Sequence, residues 1–167
     1  MARLLLPMSM FSLLSIGAIF GFFYAWVCST MWGLDATDPK IAIAAMQAMN
    51  ASVRNPVFFP AFFLTPVILT VTAFIAARQD RRRSALLFGT SAVIYVCGAF
   101  LVTVIVNVPM NESLAQVSIP PDAVKARLIW QTYSETWQFW NMVRTMVSGL
   151  ALMLTGYAIS SLNMART

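Results

Sequence analysis

The residues of this chain best suited to chemistry lie in one row near its C-terminal end. The row comprises Trp130, Tyr133, Trp137, Asn141 and Arg144, at intervals of three or four residues that place all five on one face of a helix. A charged residue in an apolar segment costs at least ~2 kcal/mol to insert into lipid unless it is paired or solvated. We therefore expect Arg144 to face the protein interior or a wet cavity. The alternative is that its long side chain snorkels to the surface.

Further polar residues from other segments are expected at the same depth as this row. The candidate ligand-binding residues are Tyr24, Asn50, Asn107, Asn111, Trp137 and Trp140. Together they would form a pocket with hydrogen-bond donors and flat aromatic walls, which suits a hydrophobic aromatic molecule such as a phenol or quinone.

The candidate catalytic residues are Arg144, Asn141 and Glu135. Arg144 would stabilise a phenolate or enolate oxygen, as the donors of an oxyanion hole do. The amides of Asn107, Asn111 and Asn141 would orient the ligand, and Trp137 and Trp140 would stack on its rings. The base would be Glu135, Glu112 or Tyr24, and the residue types leave that choice open.

Ordinary membrane-protein roles are open for several of these residues. Trp130 lies near the expected membrane boundary, where Trp and Tyr commonly form a belt. Asn107 and Asn111 would also serve to bond neighbouring helices together. An Arg, several amides and a Tyr at one depth on several helices nevertheless favour a pocket.

The composition indicates that lipid is the solvent for much of the chain. Hydrophobic residues make up 59% of the 167 residues and charged residues 10%, whereas a soluble domain carries roughly 25% charged residues. Four apolar segments reach the length of about 20 residues that a membrane-spanning helix needs. They cover about residues 8–28, 57–77, 85–106 and 122–162.

A fifth helix is predicted between the first two spans, at about residues 39–54. Asp38 is a good N-cap and Pro39 suits the first helical position. The fold class is therefore all-α, an integral membrane four-helix bundle with an amphipathic outer cap helix, in one domain over residues 1–167.

Basic residues predict the orientation. One side of the bundle would carry Arg3, Arg78, Arg81, Arg82, Arg83 and Arg166, and the other Lys40, Arg54, Lys125 and Arg127. Because membrane loops rich in Lys and Arg stay inside, we expect both termini in the cytoplasm, in a bacterial inner membrane. The net charge of +5 then reflects topology, and no nucleic-acid partner is expected.

The chain contains no histidine. His-ligated haem and His-type metal sites are therefore excluded within one chain, and no cofactor is expected. The two cysteines, Cys28 and Cys97, are expected to be free thiols at different depths.

Four short motifs in order resemble the anthrone oxygenase-like family of small membrane proteins. They are the stretch 21–24, the stretch 45–50 with Asn55-Pro56, the stretch 107–111, and Trp137 with the stretch 140–145. The segments 107–111 and 140–145 carry most of the resemblance. The resemblance implies a four-helix membrane protein that oxidises polyketide anthrones to anthraquinones with molecular oxygen, without metal or flavin. The functional-site residues that the resemblance implies are Tyr24, Asn50, Asn107, Asn111, Trp137, Asn141 and Arg144.

Two other functions remain open at this point. A small hydrophobic bundle could be a non-catalytic accessory subunit of a respiratory or photosynthetic complex that binds lipid, quinone or pigment, or it could associate with itself. A small transporter is the weakest alternative, because such proteins usually carry an acidic residue deep in the membrane and none of the four apolar segments has one at its middle.

Overall fold

The computed structural model describes residues 4–164, with side chains described as far as Leu162, and this stretch of the chain is all-helical. The helices are α1 (Leu5–Ala25), α2 (Met31–Asp35), α3 (Pro39–Ser52), α4 (Phe58–Ala77), α5 (Arg82–Tyr95), α6 (Val108–Ala115) and α7 (Ala123–Met164). Apart from α3, these helices form four continuous stretches that are long and apolar enough to cross a membrane: Leu5–Asp35, Phe58–Ala77, Arg82–Ala115 and Ala123–Leu162. The expected all-α membrane bundle with a cap helix is confirmed.

The first and third spans run further than their hydropathy suggested, because π-helical turns join α-helices end to end. Trp26–Thr30 joins α1 to α2, while Val96–Phe100 and Thr103–Asn107 lie between α5 and α6. The third span continues to Ala115 through Pro109, which lies in the first turn of α6, directly after the Thr103–Asn107 π-helical turn. Turns of this type inside a helix often accompany functional sites.

The helix α3 covers one end of the bundle, which we call the cap end. Asp38 accepts a hydrogen bond from the Lys40 backbone N–H at 2.8 Å, and Pro39 occupies the first turn, as expected. The buried face of α3 packs Ile43 and Met46 against α7 residues that include Trp130 and Trp137. The Gln47 amide also donates to the carbonyls of Leu114 and Val117, at 2.8 and 2.9 Å. These bonds tie α3 to the cap end of the third span.

The spans pack as a ring in which α1 contacts α4 and α7, and α5 contacts the same two helices. Phe23, Phe62 and Tyr95 belong to the cluster at the centre of the ring. Towards the other end, hydroxyl pairs such as Ser12 with Thr72 and Ser91 with Thr155, each at 2.9 Å, join neighbouring helices.

The predicted arginine cluster lies at the end opposite α3, between α4 and α5. Arg83 donates to the Tyr157 hydroxyl and its guanidinium lies 4.9 Å from the Tyr157 ring centre. Asp80 has φ 58°, a left-handed turn that lets the chain reverse between the two helices. Arg3 and Arg166, which contributed to the predicted orientation, lie outside the described residues.

Candidate functional site

A cavity of about 350 Å³ lies at the cap end, between α3 and all four spans. Ligand pockets commonly have volumes in this range. Its walls are mainly apolar, and their aromatic side chains include those of Phe22, Phe23, Trp26, Phe58, Phe62 and Trp137. The first span supplies one section of this wall, α4 a second and α7 a third. Aromatic side chains from three of the four spans thus face one cavity.

Arg144 reaches this cavity from α7 and is only 4% exposed. One terminal nitrogen donates to the Asn141 side-chain oxygen at 2.9 Å, and the other donates to the Thr103 hydroxyl at 3.2 Å. The guanidinium carbon lies 4.6 Å from the Phe23 ring centre and 5.2 Å from the Trp137 ring centre. Two aromatic faces and two neutral oxygens therefore surround this buried cation. Among the described residues, no carboxylate forms a hydrogen bond or an ion pair with it.

Asn141 positions Arg144. The Asn141 amide nitrogen donates to the Phe23 carbonyl at 3.1 Å while its oxygen accepts from Arg144. Asn141 is buried and is absent from the cavity lining. It links α7 to α1 and orients the guanidinium, and it reaches a ligand only through that group.

A hydrogen-bond network lines the cap side of the same cavity. The Asn50 amide donates to the Tyr133 hydroxyl at 3.3 Å, and that hydroxyl donates to the Asn111 side-chain oxygen at 2.8 Å. The Trp137 indole N–H donates to the same oxygen at 3.0 Å. Because its oxygen is already bonded, Asn111 can offer only its amide N–H groups to a ligand.

An ion pair between Arg54 and Glu112 stands at the mouth of the cavity. Arg54 follows α3 and Glu112 lies on α6, so the pair joins the cap to the third span. Both side chains are about half exposed, at 51% and 49%. All six acidic residues of the chain fall within the described range, and Glu112 is the one that lines this cavity.

Asn107 is buried one turn beyond Thr103, at 1% exposure. Neither its amide nitrogen nor its oxygen has a hydrogen-bond partner among the described residues, and the same holds for the Arg144 Nε. The alternative role of Asn107 as a bond between helices therefore gains no support from the contacts of this structure.

Five of the predicted site residues do not line the cavity: Asn107 and Asn141 are buried, and Tyr24, Glu135 and Trp140 lie away from it. Tyr24 is half exposed and stacks on Phe20. Glu135 is exposed and lines a separate polar cleft with Asp35 and Arg127. Trp140 is half-buried and packs edge-on against Phe139.

Several residues at the site were not among the predicted ones. Phe23 and Thr103 contact the guanidinium directly, and Phe62 belongs to the wall. A signal existed for Thr103, which precedes Asn107 by four residues and so shares its helix face.

Asp35 accepts hydrogen bonds from the Trp130 indole and the Ser134 hydroxyl at 2.9 and 2.7 Å, which fixes the end of α2 to α7.

The donors at the cavity suit an oxygen-bearing organic ligand better than a metal ion. Arginine, amide N–H and indole groups donate hydrogen bonds and do not ligate cations. Within residues 4–164, no three Cys, Asp or Glu side chains come together as a possible metal site.

Comparison with known proteins identifies the family of the chain. A family model described as anthrone oxygenase matches residues 54–154, more than half of the chain, and this stretch includes Asn107, Glu112 and Arg144. Tyr24 and Asn50 lie outside the matched stretch. No curated protein and no solved structure matches the chain. On the strength of the family match, the chain belongs to the anthrone oxygenase family.

Proposed function

We propose that this protein binds a fused-ring phenol of the anthrone type in the cap-end cavity and oxidises it to the quinone with molecular oxygen. The observation that carries the proposal is the Arg144 guanidinium, buried between the Phe23 and Trp137 rings in a cavity with aromatic walls. Such a site fits a flat molecule whose oxygen becomes negatively charged during the reaction.

Arg144 has hydrogen-bonding capacity left for that oxygen. A guanidinium has five N–H donors, and the bonds to Asn141 and Thr103 each use one. Removal of a proton from the methylene carbon of an anthrone leaves an enolate, whose charge lies largely on oxygen. A preorganised cation stabilises that charge most strongly where water is excluded.

The substrate itself supplies the electrons in this proposal, so no cofactor is needed. A base removes one methylene proton, and the resulting carbanion forms a carbon–oxygen bond with dioxygen, which is reduced to a peroxide. After protonation, the hydroperoxide loses its remaining carbon-bound proton while the oxygen–oxygen bond breaks. One anthrone and one dioxygen thus give one anthraquinone and one water.

Glu112 is the base that the geometry favours among Glu112, Glu135 and Tyr24. It lines the cavity, whereas Tyr24 and Glu135 do not. Its side chain forms an ion pair with Arg54 at the mouth. Half exposure at the mouth also gives the abstracted proton a route to water.

We further propose that the cap end faces the outside of a bacterial inner membrane. The support is the arginine-rich loop between α4 and α5 at the opposite end, since such loops stay in the cytoplasm. The cavity would then lie in the outer leaflet.

Oxygen consumption tests the reaction. Purified protein in lipid nanodiscs would be supplied with dithranol, a dihydroxyanthrone, and both dioxygen uptake and quinone absorbance would be followed above the autoxidation seen with empty nanodiscs. The proposal predicts equal amounts of dioxygen consumed and quinone formed. Glu112→Gln should lower the rate by roughly 10²-fold or more, as expected on loss of a general base.

Glu135→Gln is the matched control, because it removes the same charge from the exposed face of α7. Its rate should equal that of the wild-type protein. An absence of any rate above autoxidation, with larger chains co-purifying in mild detergent, would support the accessory-subunit function instead. A loss of rate in Glu135→Gln with none in Glu112→Gln would contradict the choice of base.

A further inference from the structure

The cavity has an opening on the side of the bundle as well as at its cap. Phe59 and Phe63 of α4 and Val104 of the third span line the cavity, and they are also 42%, 47% and 44% exposed. All three lie within membrane-spanning stretches. Their exposed faces therefore meet acyl chains, and the same side chains reach both lipid and cavity. We call the space between them the lateral gap.

The course of the third span produces the lateral gap. Its first section, α5, packs along α4, but further on the Thr103–Asn107 turn packs on α7, and α6 packs on α3 and α7. The cap-end half of the third span thus leans towards α3 and α7, away from the start of α4. Phe100 closes the edge of the gap that lies away from the cap end. Its ring stacks on that of Phe62, with the ring centres 5.2 Å apart, and meets that of Phe63 edge-on, with the ring centres 5.6 Å apart.

The opening of the cavity towards water is lined by charged side chains, unlike the lateral gap. At the mouth, Arg54 and Glu112 face each other as an ion pair that joins α3 to the third span. A flat, uncharged ring system arriving from water would have to separate these charged groups from each other. From lipid the same molecule would pass only apolar side chains, and its hydrophobicity would already concentrate it in the bilayer.

From these observations we infer that the cavity is filled sideways from the bilayer through the lateral gap. This inference rests on the proposed function and sharpens it. The substrate class is a fused-ring phenol dissolved in the membrane, and the Arg54–Glu112 pair keeps the cavity closed towards water while the ring system enters between α4 and the third span.

Binding kinetics test the route. Danthron, a dihydroxyanthraquinone that resembles the product, would be mixed with protein in nanodiscs, and the quenching of tryptophan fluorescence would be followed by stopped flow. Val104→Phe narrows the gap and should slow both association and dissociation, association by roughly tenfold. Phe63→Ala widens the gap and should accelerate both rates.

Val93→Phe is the matched control, since Val93 is an exposed valine of the same span and is absent from the cavity lining. Its rates should equal those of the wild-type protein. Arg54→Ala, which opens the water side, should also leave the association rate unchanged.

Each other outcome has a defined meaning. Wild-type rates in both Val104→Phe and Phe63→Ala, or faster association in Arg54→Ala, would overturn the lateral route while leaving the binding site intact. A changed Kd with an unchanged association rate in the gap variants would also overturn it. Failure of danthron to bind the wild-type protein would overturn the proposed function, and the route with it.

Discussion

Arg144 is a buried cation whose neighbours are all neutral. This arrangement makes burial of the charge costly in free energy, and it also leaves the charge available to a ligand. Its partners are the Asn141 oxygen, the Thr103 hydroxyl and two aromatic faces, so its charge is stabilised but not neutralised. An arginine paired with a carboxylate would have less charge to offer an incoming enolate. The positive charge thus remains available to a ligand.

The sequence predicted that Arg144 and its row share one inward face of α7, and all five side chains are buried there, but it did not predict which acid lies nearest to them. Glu135 precedes Arg144 by nine residues, which at 3.6 residues per turn places the two about 180° apart around α7. Helical spacing alone therefore contained an argument against Glu135 as a cavity residue. Glu112 could not be placed in that way, because its position depends on how far the third span continues as a helix.

Asn107 provides a prediction at the residue scale. A buried amide without a partner costs about 1–3 kcal/mol, and Asn107 has none among residues 4–164. Asn107→Leu, with the same branched shape and no polar atoms in the side chain, should therefore raise the free energy of unfolding by about 1 kcal/mol. Thermal unfolding in detergent, followed by tryptophan fluorescence, would measure the change.

Asn141→Leu is the contrasting variant, because it removes bonds to both Phe23 and Arg144. It should lower stability. If Asn107→Leu destabilised the protein as much as Asn141→Leu does, the Asn107 amide would have a bonding partner in the unliganded protein.

At the scale of helices, hydropathy found the four spans but missed their continuations. About 20 apolar residues suffice to identify each span. The stretch from Pro109 to Ala115 is polar and proline-containing, and it lies beyond the span of about residues 85–106 that hydropathy indicated. It is helical because α3 and α7 bond to it, through Gln47 to the Leu114 carbonyl and through Trp137 to Asn111. Such contacts between distant segments leave no local pattern in the sequence.

The close contact of the third span with α7 gives a prediction at this scale. A Cβ at Gly98 would lie 2.3 Å from a methyl carbon of Val147, too close for the two helices to keep their spacing. Gly98 lies in the Val96–Phe100 turn, just before the part of the third span that lines the cavity. Gly98→Ala should therefore destabilise the protein by about 1–3 kcal/mol, as overpacking does.

A double-mutant cycle tests the cause. Val147→Ala removes the methyl groups involved, so Gly98→Ala should cost less in that background than in the wild type. Gly21→Ala is the control, because a Cβ there would meet nothing within 4 Å. An equal cost of Gly98→Ala in both backgrounds would contradict a steric origin.

At the scale of the whole molecule, the proposed orientation gives a further prediction. The cap end carries the cavity, and the arginine-rich loop lies at the opposite end. Positive charges keep short loops inside the cell. In a background with Cys28→Ser and Cys97→Ser, Ser52→Cys on α3 should react with an impermeant maleimide in intact bacterial spheroplasts.

Gln79→Cys, in the loop between α4 and α5, is the matched position. It should react only after the membrane is opened. Labelling of Gln79→Cys but not of Ser52→Cys in intact spheroplasts would reverse the orientation and move the cavity to the cytoplasmic leaflet.

Ligand binding through Arg144 is the central claim, and native mass spectrometry in mild detergent with danthron tests it most directly. Wild-type protein and Arg83→Met, which loses an arginine at the opposite end of the bundle, should each retain one danthron. Arg144→Met should lose it, with affinity reduced roughly 10²-fold or more, while thermal unfolding shows that the variant is folded. A folded Arg144→Met protein that retains danthron as the wild type does would contradict the assignment of this cavity.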